Sequence, residues 1–197
     1  MWRATSSIAG MATLALFVLL STACSGGSAQ DPKPVKEYPL ITEFRAPPPT
    51  QNEMILAADA VVVGQIAGSR PNDQEYGGRP MVKTVWTLKV REVLHFNGTG
   101  SLPDEIFIER EGGERDRGSH VERVIQPQYP AFQVGQEYVL FLRKAGDSMW
   151  WSAFGPSSAY RLSRGRVEAL GSSRIAVSQN GETEEAFLQT IRNVGIK

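Results

Sequence analysis

The sequence predicts an all-β fold: a small closed antiparallel barrel with a short N-terminal helix and a C-terminal amphipathic helix. Three observations lead there. Val82 to Leu94 (VKTVWTLKVREVL) alternates apolar and polar residues over most of its length. Ala60 to Ile66 (AVVVGQI) and Tyr138 to Leu142 (YVLFL) are apolar runs too short for core helices. Clusters of Gly, Pro, Asn, Asp and Ser separate these runs along the chain.

Composition narrows the class. The chain has 197 residues, of which 41% are hydrophobic, enough for one domain with a core and too much for global disorder. Basic and acidic residues number 21 each, and loss of Arg3 with a leader leaves 20 against 21, a net charge of −1. No basic excess draws the mature chain to nucleic acid.

The organisation expected is a leader over 1–23, a flexible Gly/Ser/Pro linker over 24–49 and the barrel domain with its C-terminal helix over 50–197. Met11 to Leu20 (MATLALFVLL) is too short to span a membrane comfortably and is followed by the small residues Ser21, Thr22 and Ala23 and then Cys24. This segment resembles a bacterial lipoprotein signal, with Leu20 one place further from the cysteine than usual. The resemblance implies cleavage before Cys24 and its acylation by two or three chains, a stable lipid anchor in the cell envelope. Ser25 rather than Asp after the cysteine implies the outer membrane over the inner one in a Gram-negative envelope. Cys24 is the only cysteine, so no intramolecular disulfide forms.

Ser25-Gly26-Gly27-Ser28 reads as a tether, and the prolines at 32, 34, 39 and 47–49 are expected to break regular structure up to Pro49. Thr50 with Glu53 three residues on forms a capping-box pattern that opens a two-turn helix, with Met54, Ile55 and Ala58 toward the core. The Ala60 to Ile66 strand follows, where Gly64 leaves room for a bend or a close neighbour. Gly68 to Pro80 reads as a polar loop.

In the long strand, Val82, Thr84, Trp86, Leu88 and Val90 share one face and Lys83, Thr87, Lys89 and Arg91 the other, with Val85 the exception. The period slips after Arg91. Either a bulge near Arg91-Glu92 returns Val93 to the core face, or the strand simply ends irregularly. Asn97-Gly98 opens a turn, and Leu102 to Arg110 supplies an antiparallel partner with Ile106 and Ile108 on one face. Glu111 to Glu122 (EGGERDRGSHVE) reads as a solvated loop laced with weak ion pairs. Beyond the YVLFL strand, Met149 to Phe154 and Ala159 to Ser163 are strands, and Arg164-Gly165-Arg166 is a tight return into Val167 to Leu170. Phe187, Leu188, Ile191 and Val194 lie on one face of a final helix whose acids, Glu182, Glu184 and Glu185, favour its N-terminus.

The order ADAVVVGQI, EVLHFNG, DEIFIEREGG and FQVGQEYVLFL resembles the netrin-like, or tissue-inhibitor-of-metalloproteinase, type of OB barrel. The likeness covers Ala57 to Leu170, with Asp59, Val63, Val93, Gly98, Gly113, Gly135, Tyr138 and Leu142 as fold landmarks. It implies five or six antiparallel strands curled into a barrel. The inhibitors act through an N-terminal cysteine presented to a catalytic zinc and pinned by disulfides. An acylated Cys24 far before the barrel removes that chemistry, so the resemblance implies the fold alone.

No GxSxG elbow, P-loop or dinucleotide fingerprint is present, and His95 and His120 lack metal-ligand spacing, so no enzyme, metal or cofactor is expected. The function expected is a non-catalytic envelope lipoprotein whose barrel contacts a protein or a glycan. The alternatives are a structural or assembly accessory and a hydrophobic-ligand carrier. Trp150 and Trp151 are the first candidates for a contact face, with Tyr129, Phe132 and Arg161 as additions. Neighbours on a strand point to opposite faces, so one tryptophan should be buried and the other exposed or covered by the C-terminal helix.

Overall fold

Two apolar runs without a polar face set the architecture, because such strands need a layer on each side. The computed structural model describes residues 32–72, 74–76, 79–146 and 149–194. Cys24, the leader and the tether lie outside the described residues. The strands are β1 (Val35–Pro39), β2 (Ala60–Pro71), β3 (Gln74–Tyr76), β4 (Arg79–Met81), β5 (Lys83–Phe96), β6 (Glu105–Glu111), β7 (Gly113–Asp116), β8 (Val121–Ile125), β9 (Glu137–Lys144), β10 (Met149–Ser152), β11 (Ala159–Ser163) and β12 (Arg166–Ala169). The helices are α1 (Gln51–Leu56), α2 (Arg174–Gln179) and α3 (Glu184–Val194).

Five strands in the order β6-β5-β2-β9-β10 close into a barrel, because β10 pairs with β6 as well as with β9. The chain is mainly β, and this closure is consistent with a generic OB-like barrel. It corrects the wholly antiparallel expectation: β10 runs parallel to β6, with Met149 opposite Phe107 and Trp150 opposite Ile108. A closed ring with an odd number of strands cannot alternate direction all the way round. One pair must be parallel.

The two faces of β2 and β9 belong to different cores. Ala60, Val62 and Ile66 from β2, with Tyr138, Leu140 and Leu142 from β9, fill the barrel together with Leu88, Ile106, Ile108, Phe132 and Trp150. Val61, Val63, Val139 and Phe141 point outward and meet Tyr160, Leu162 and Val167 from β11 and β12 and a cover of helices. The cover consists of Met54, Ile55 and Ala58 at α1, Ile175 and Ala176 on α2, and Phe187, Leu188 and Ile191 on α3. Thr50 and Glu53 form the reciprocal capping box that fixes where α1 starts. The tight return at Arg164-Gly165 joins β11 to β12, Ser163 opposite Arg166. Helix α2 is additional to the sequence reading, and Ser173 caps it by accepting from the Ala176 N–H.

β5 is the longest strand, at 14 residues, and Trp86, Leu88 and Val90 pack on the barrel core. Its pairing with β2 slips where Val63 faces Glu92 and Gly64 faces Val90, leaving Arg91 as the bulged residue. A second slip omits Leu94. Leu94 therefore turns into the core under the helices while Val93 stays exposed, which corrects the expectation that one bulge returns Val93 inward. The bulge aims Arg91 at Glu184 and Glu137, at 3.3 and 2.9 Å, and Glu92 accepts two bonds from Arg192 at 2.9 and 3.0 Å. The Glu184 and Arg192 pairs tie α3 to the barrel wall, and the Glu137 pair joins β5 to β9. The Arg192 fork holds the Glu92 carboxyl below its usual pKa. Opposite, a Cβ on Gly64 would stand 2.4 Å from the Lys89 carbonyl oxygen, so only glycine lets β5 approach here.

Three segments read as irregular carry strands. Gly68 to Pro80 extends β2 to Pro71 and contributes β3, which pairs with β4. Within Glu111 to Glu122, β7 and the start of β8 form a hairpin, and Arg115 and Arg117 bond Glu122 across its turn. The proline-rich linker contributes β1, which runs parallel to β8 with Val35 opposite Val121 and Pro39 opposite Ile125. Lys33–Asp116 and Glu37–Arg123 pairs, at 2.6 and 2.8 Å, clip it in place. Proline is tolerated because β1 is an edge strand. The segment after it crosses the barrel as a strap: Thr42 donates to Glu111 at 3.0 Å, and Phe44 lies edge-on to Tyr129 at 5.7 Å. A Cβ on Gly155 would meet the Phe44 ring at 2.2 Å, so that glycine, with φ 54°, is the seat of the strap.

Candidate functional site

The adjacent tryptophans on β10 take opposite faces. Trp150 is 4% exposed and belongs to the barrel interior, whereas Trp151 is 51% exposed. Helix α3 packs on the other layer, against Tyr160 and the α1 side chains, and leaves Trp151 open. Beside Trp151 lies a cleft of about 410 Å³. Thr42 and Phe44 of the strap, Lys83 at the start of β5, Glu109 near the end of β6, Gln126 and Ser152 line it. Its walls thus combine one open indole with hydroxyl, amide, ammonium and carboxylate groups. The Lys83 ammonium donates to Glu109 at 2.7 Å, and Asn72 donates to the same carboxylate at 2.7 Å.

Tyr129 and Phe132, read from sequence as parts of a contact face, are each 3% exposed and sit in the barrel core. They are edge-on to one another at 6.0 Å, and Phe132 is edge-on to Trp86 at 5.7 Å. Their place is the inner end of the barrel, where aromatic area substitutes for a further layer of strand side chains. The Tyr129 hydroxyl still reaches the cleft, sharing a hydrogen bond with Ser152 Oγ at 2.5 Å. Arg161 is elsewhere: it is level with Tyr138 at the start of β9, while Trp151 is level with Arg143 near its end. Its guanidinium is held by Glu168 and by Gln133 at 3.2 Å. The structure therefore brings Trp151 and the Tyr129 hydroxyl together and leaves Phe132 and Arg161 apart from them.

The residue that sequence reading missed is Arg110. It follows Ile106 and Ile108 by the period of two and so is the last inward-facing side chain of β6. Its guanidinium carbon stands 3.4 Å over the Tyr129 ring and 4.5 Å over Phe132. Nη1 donates to the Pro130 carbonyl at 3.0 Å and Nη2 to that of Tyr129 at 2.8 Å. Burial pushes its pKa below the usual arginine value. Arg110 also borders a second cleft of about 580 Å³, to whose lining the half-buried Thr84 and Trp86 and the buried Gln126 contribute. The alternation of Ile106 and Ile108 was the signal that could have found it.

The histidines stand apart from both clefts. His95 on β5 faces Val61 on β2, its Nε2 is buried without a partner among the described residues, and desolvation lowers its pKa. His120 Nδ1 shares a hydrogen bond with Ser119 Oγ at 3.0 Å, and Nε2 is 3.8 Å from Glu122. Among the described residues no cluster of three or more His, Cys, Asp or Glu side chains is placed to hold a metal ion. No protein-family model matches the chain, and a search of curated proteins gives no match either.

Proposed function

We propose that this protein is a non-catalytic recognition module of a bacterial cell envelope, an OB barrel of the netrin-like type that binds a saccharide in the cleft beside Trp151. The observation that carries the reading is the contrast within one dipeptide: Trp150 completes the core, and Trp151 is left open over a hollow lined by aromatic rings and a few polar groups. An indole face stacks on the apolar face of a sugar ring, and the surrounding hydroxyl, amide and carboxylate groups match sugar hydroxyls. A protein partner fits less well, since stable protein interfaces are broad patches of roughly 800 Å² per side with an apolar centre. A cleft of about 410 Å³ is the size of a small-ligand site. A hydrophobic-ligand carrier needs space inside the barrel, and that interior is occupied by Leu88, Ile106, Phe132, Leu140 and Trp150.

The test is calorimetric titration with soluble oligosaccharides of envelope polysaccharides. Trp151→Ala is expected to weaken binding by about 2 kcal/mol, roughly 30-fold, because exposed aromatic anchors of this kind dominate recognition. Undiminished affinity in the variant, or no saccharide bound by the parent chain, sinks the proposal.

Anchoring through an acylated Cys24 is part of the same reading, with the domain held at the envelope surface and the outer membrane favoured by Ser25. Mass spectrometry of protein extracted from its native membrane is expected to show an N-terminal Cys24 carrying two or three acyl chains. A water-soluble product starting elsewhere overturns the anchor and leaves the cleft untouched.

A further inference from the structure

Arg110 is 8% exposed, yet among the described residues no carboxylate pairs with its charge. A guanidinium carries five N–H donors. Two serve the carbonyls of Tyr129 and Pro130, and Nε has no partner among the described residues. The nearest carboxylates in sequence are already committed. Glu109 and Glu111 border the cleft beside Trp151, but Glu109 is bonded to Lys83 and Asn72 and Glu111 accepts from Thr42. A buried cation without a counter-ion is costly, and an apolar side chain would close the end of the barrel at less cost. Tyr129 and Phe132 hold the guanidinium against their rings, which fixes its position while leaving donors unused. Arg110 also lies in the wall of the cleft that Trp151 borders.

The group missing from this arrangement is an anion. Building on the saccharide reading of the cleft, we propose that its ligand is an acidic saccharide of the uronic-acid class, with the sugar ring on Trp151 and the carboxylate paired with Arg110. The planar fork of a guanidinium matches a carboxylate, and the partly desolvated floor strengthens the pair. A neutral sugar leaves the same donors unsatisfied, so the site discriminates by the penalty on the wrong ligand as well as by attraction to the right one.

The experiment titrates the full-length protein in detergent with tetrasaccharides of galacturonate, glucuronate and mannuronate, each beside its methyl ester. Esterification removes the charge and keeps the sugar. The parent chain is expected to bind at least one acid about tenfold or more tightly than its ester. Arg110→Met is expected to abolish that preference, bringing acid and ester to within about twofold of one another, and Arg110→Lys to retain part of it. In the parent chain the Arg110 Nε–H resonance is expected to shift with the acid and not with the ester, a readout that holds even if Arg110→Met fails to fold. Equal binding of acid and ester, dependent on Trp151, overturns the inference and leaves the saccharide reading standing. A preference that survives Arg110→Met, or a stationary Nε–H signal, also overturns it. Failure of every acid and ester to bind, while neutral envelope oligosaccharides do, overturns the acidic ligand alone; failure of all saccharides overturns both readings.

Discussion

Replacing Phe187 with alanine is expected to lower unfolding free energy by about 3–5 kcal/mol, the range for deleting a buried aromatic ring. Phe187 is fully buried, its ring 4.9 Å from that of Tyr160, which in turn lies 5.9 Å from Phe141 on the barrel wall. This column of rings joins α3 to β11 and β9. The site cannot collapse to fill the void, because Tyr160 is fixed at its other end by donating to Gln179 Oε1 at 2.6 Å. Burial raises the Tyr160 pKa well above the usual value, which favours the neutral hydroxyl that donates this bond. Urea unfolding followed by circular dichroism checks the result, with the exposed Gln189→Ala on the same helix as the control, expected within about 0.5 kcal/mol of the parent. A Phe187→Ala loss under about 1 kcal/mol would mean that α3 is not part of the cooperative core.

The elements that alternate or cap were legible because their signals are local. Thr50 and Glu53 announce α1, and the YVLFL run announces a strand buried on both faces, as β9 is between the barrel interior and the helices. What escaped was set by partners distant in sequence. β1 has five exposed residues and no periodicity, so nothing in VKEYP signals that β8 pairs with it. The β7–β8 hairpin has the composition of a solvated loop, and its strands are partly exposed ladders. Helix α2 spans only six residues, too few for an apolar stripe to repeat. The parallel closure of β10 on β6 was accessible in principle, by counting strands in a closed ring.

The site divides along the same line. That Trp150 and Trp151 would separate followed from strand geometry alone. Which one faces water did not, because it depends on the register of β10 against β6. Tyr129 and Phe132 lie in a segment without regular structure, where no period tells an inward ring from an outward one. The strap residues Thr42 and Phe44 line the cleft from a segment that follows β1, whose pairing with β8 the sequence does not signal. Arg110 was legible and passed over: the period that places Ile106 and Ile108 inside continues to it, although the charge of an arginine favours the surface.

The tryptophan pair gives the sharpest contrast the sequence allows, since one chemical change is made at two consecutive positions. Trp150→Ala is expected to destabilise the domain by about 3–5 kcal/mol, because it removes a ring from the barrel interior at the only parallel pairing of the ring of strands. Trp151→Ala should change stability by no more than about 0.5 kcal/mol, since half its surface already faces water and the residue keeps its backbone pairing with Arg143. Chemical unfolding of both variants decides the matter. Comparable losses at the two positions would show that Trp151 serves packing, and would also deprive any binding defect of Trp151→Ala of its meaning. A large loss at Trp151 and a small one at Trp150 would reverse the register of β10 and with it the position of the cleft. With the expected order, the exposed indole is free of a structural duty, and a drop in saccharide affinity on its removal reports on recognition alone.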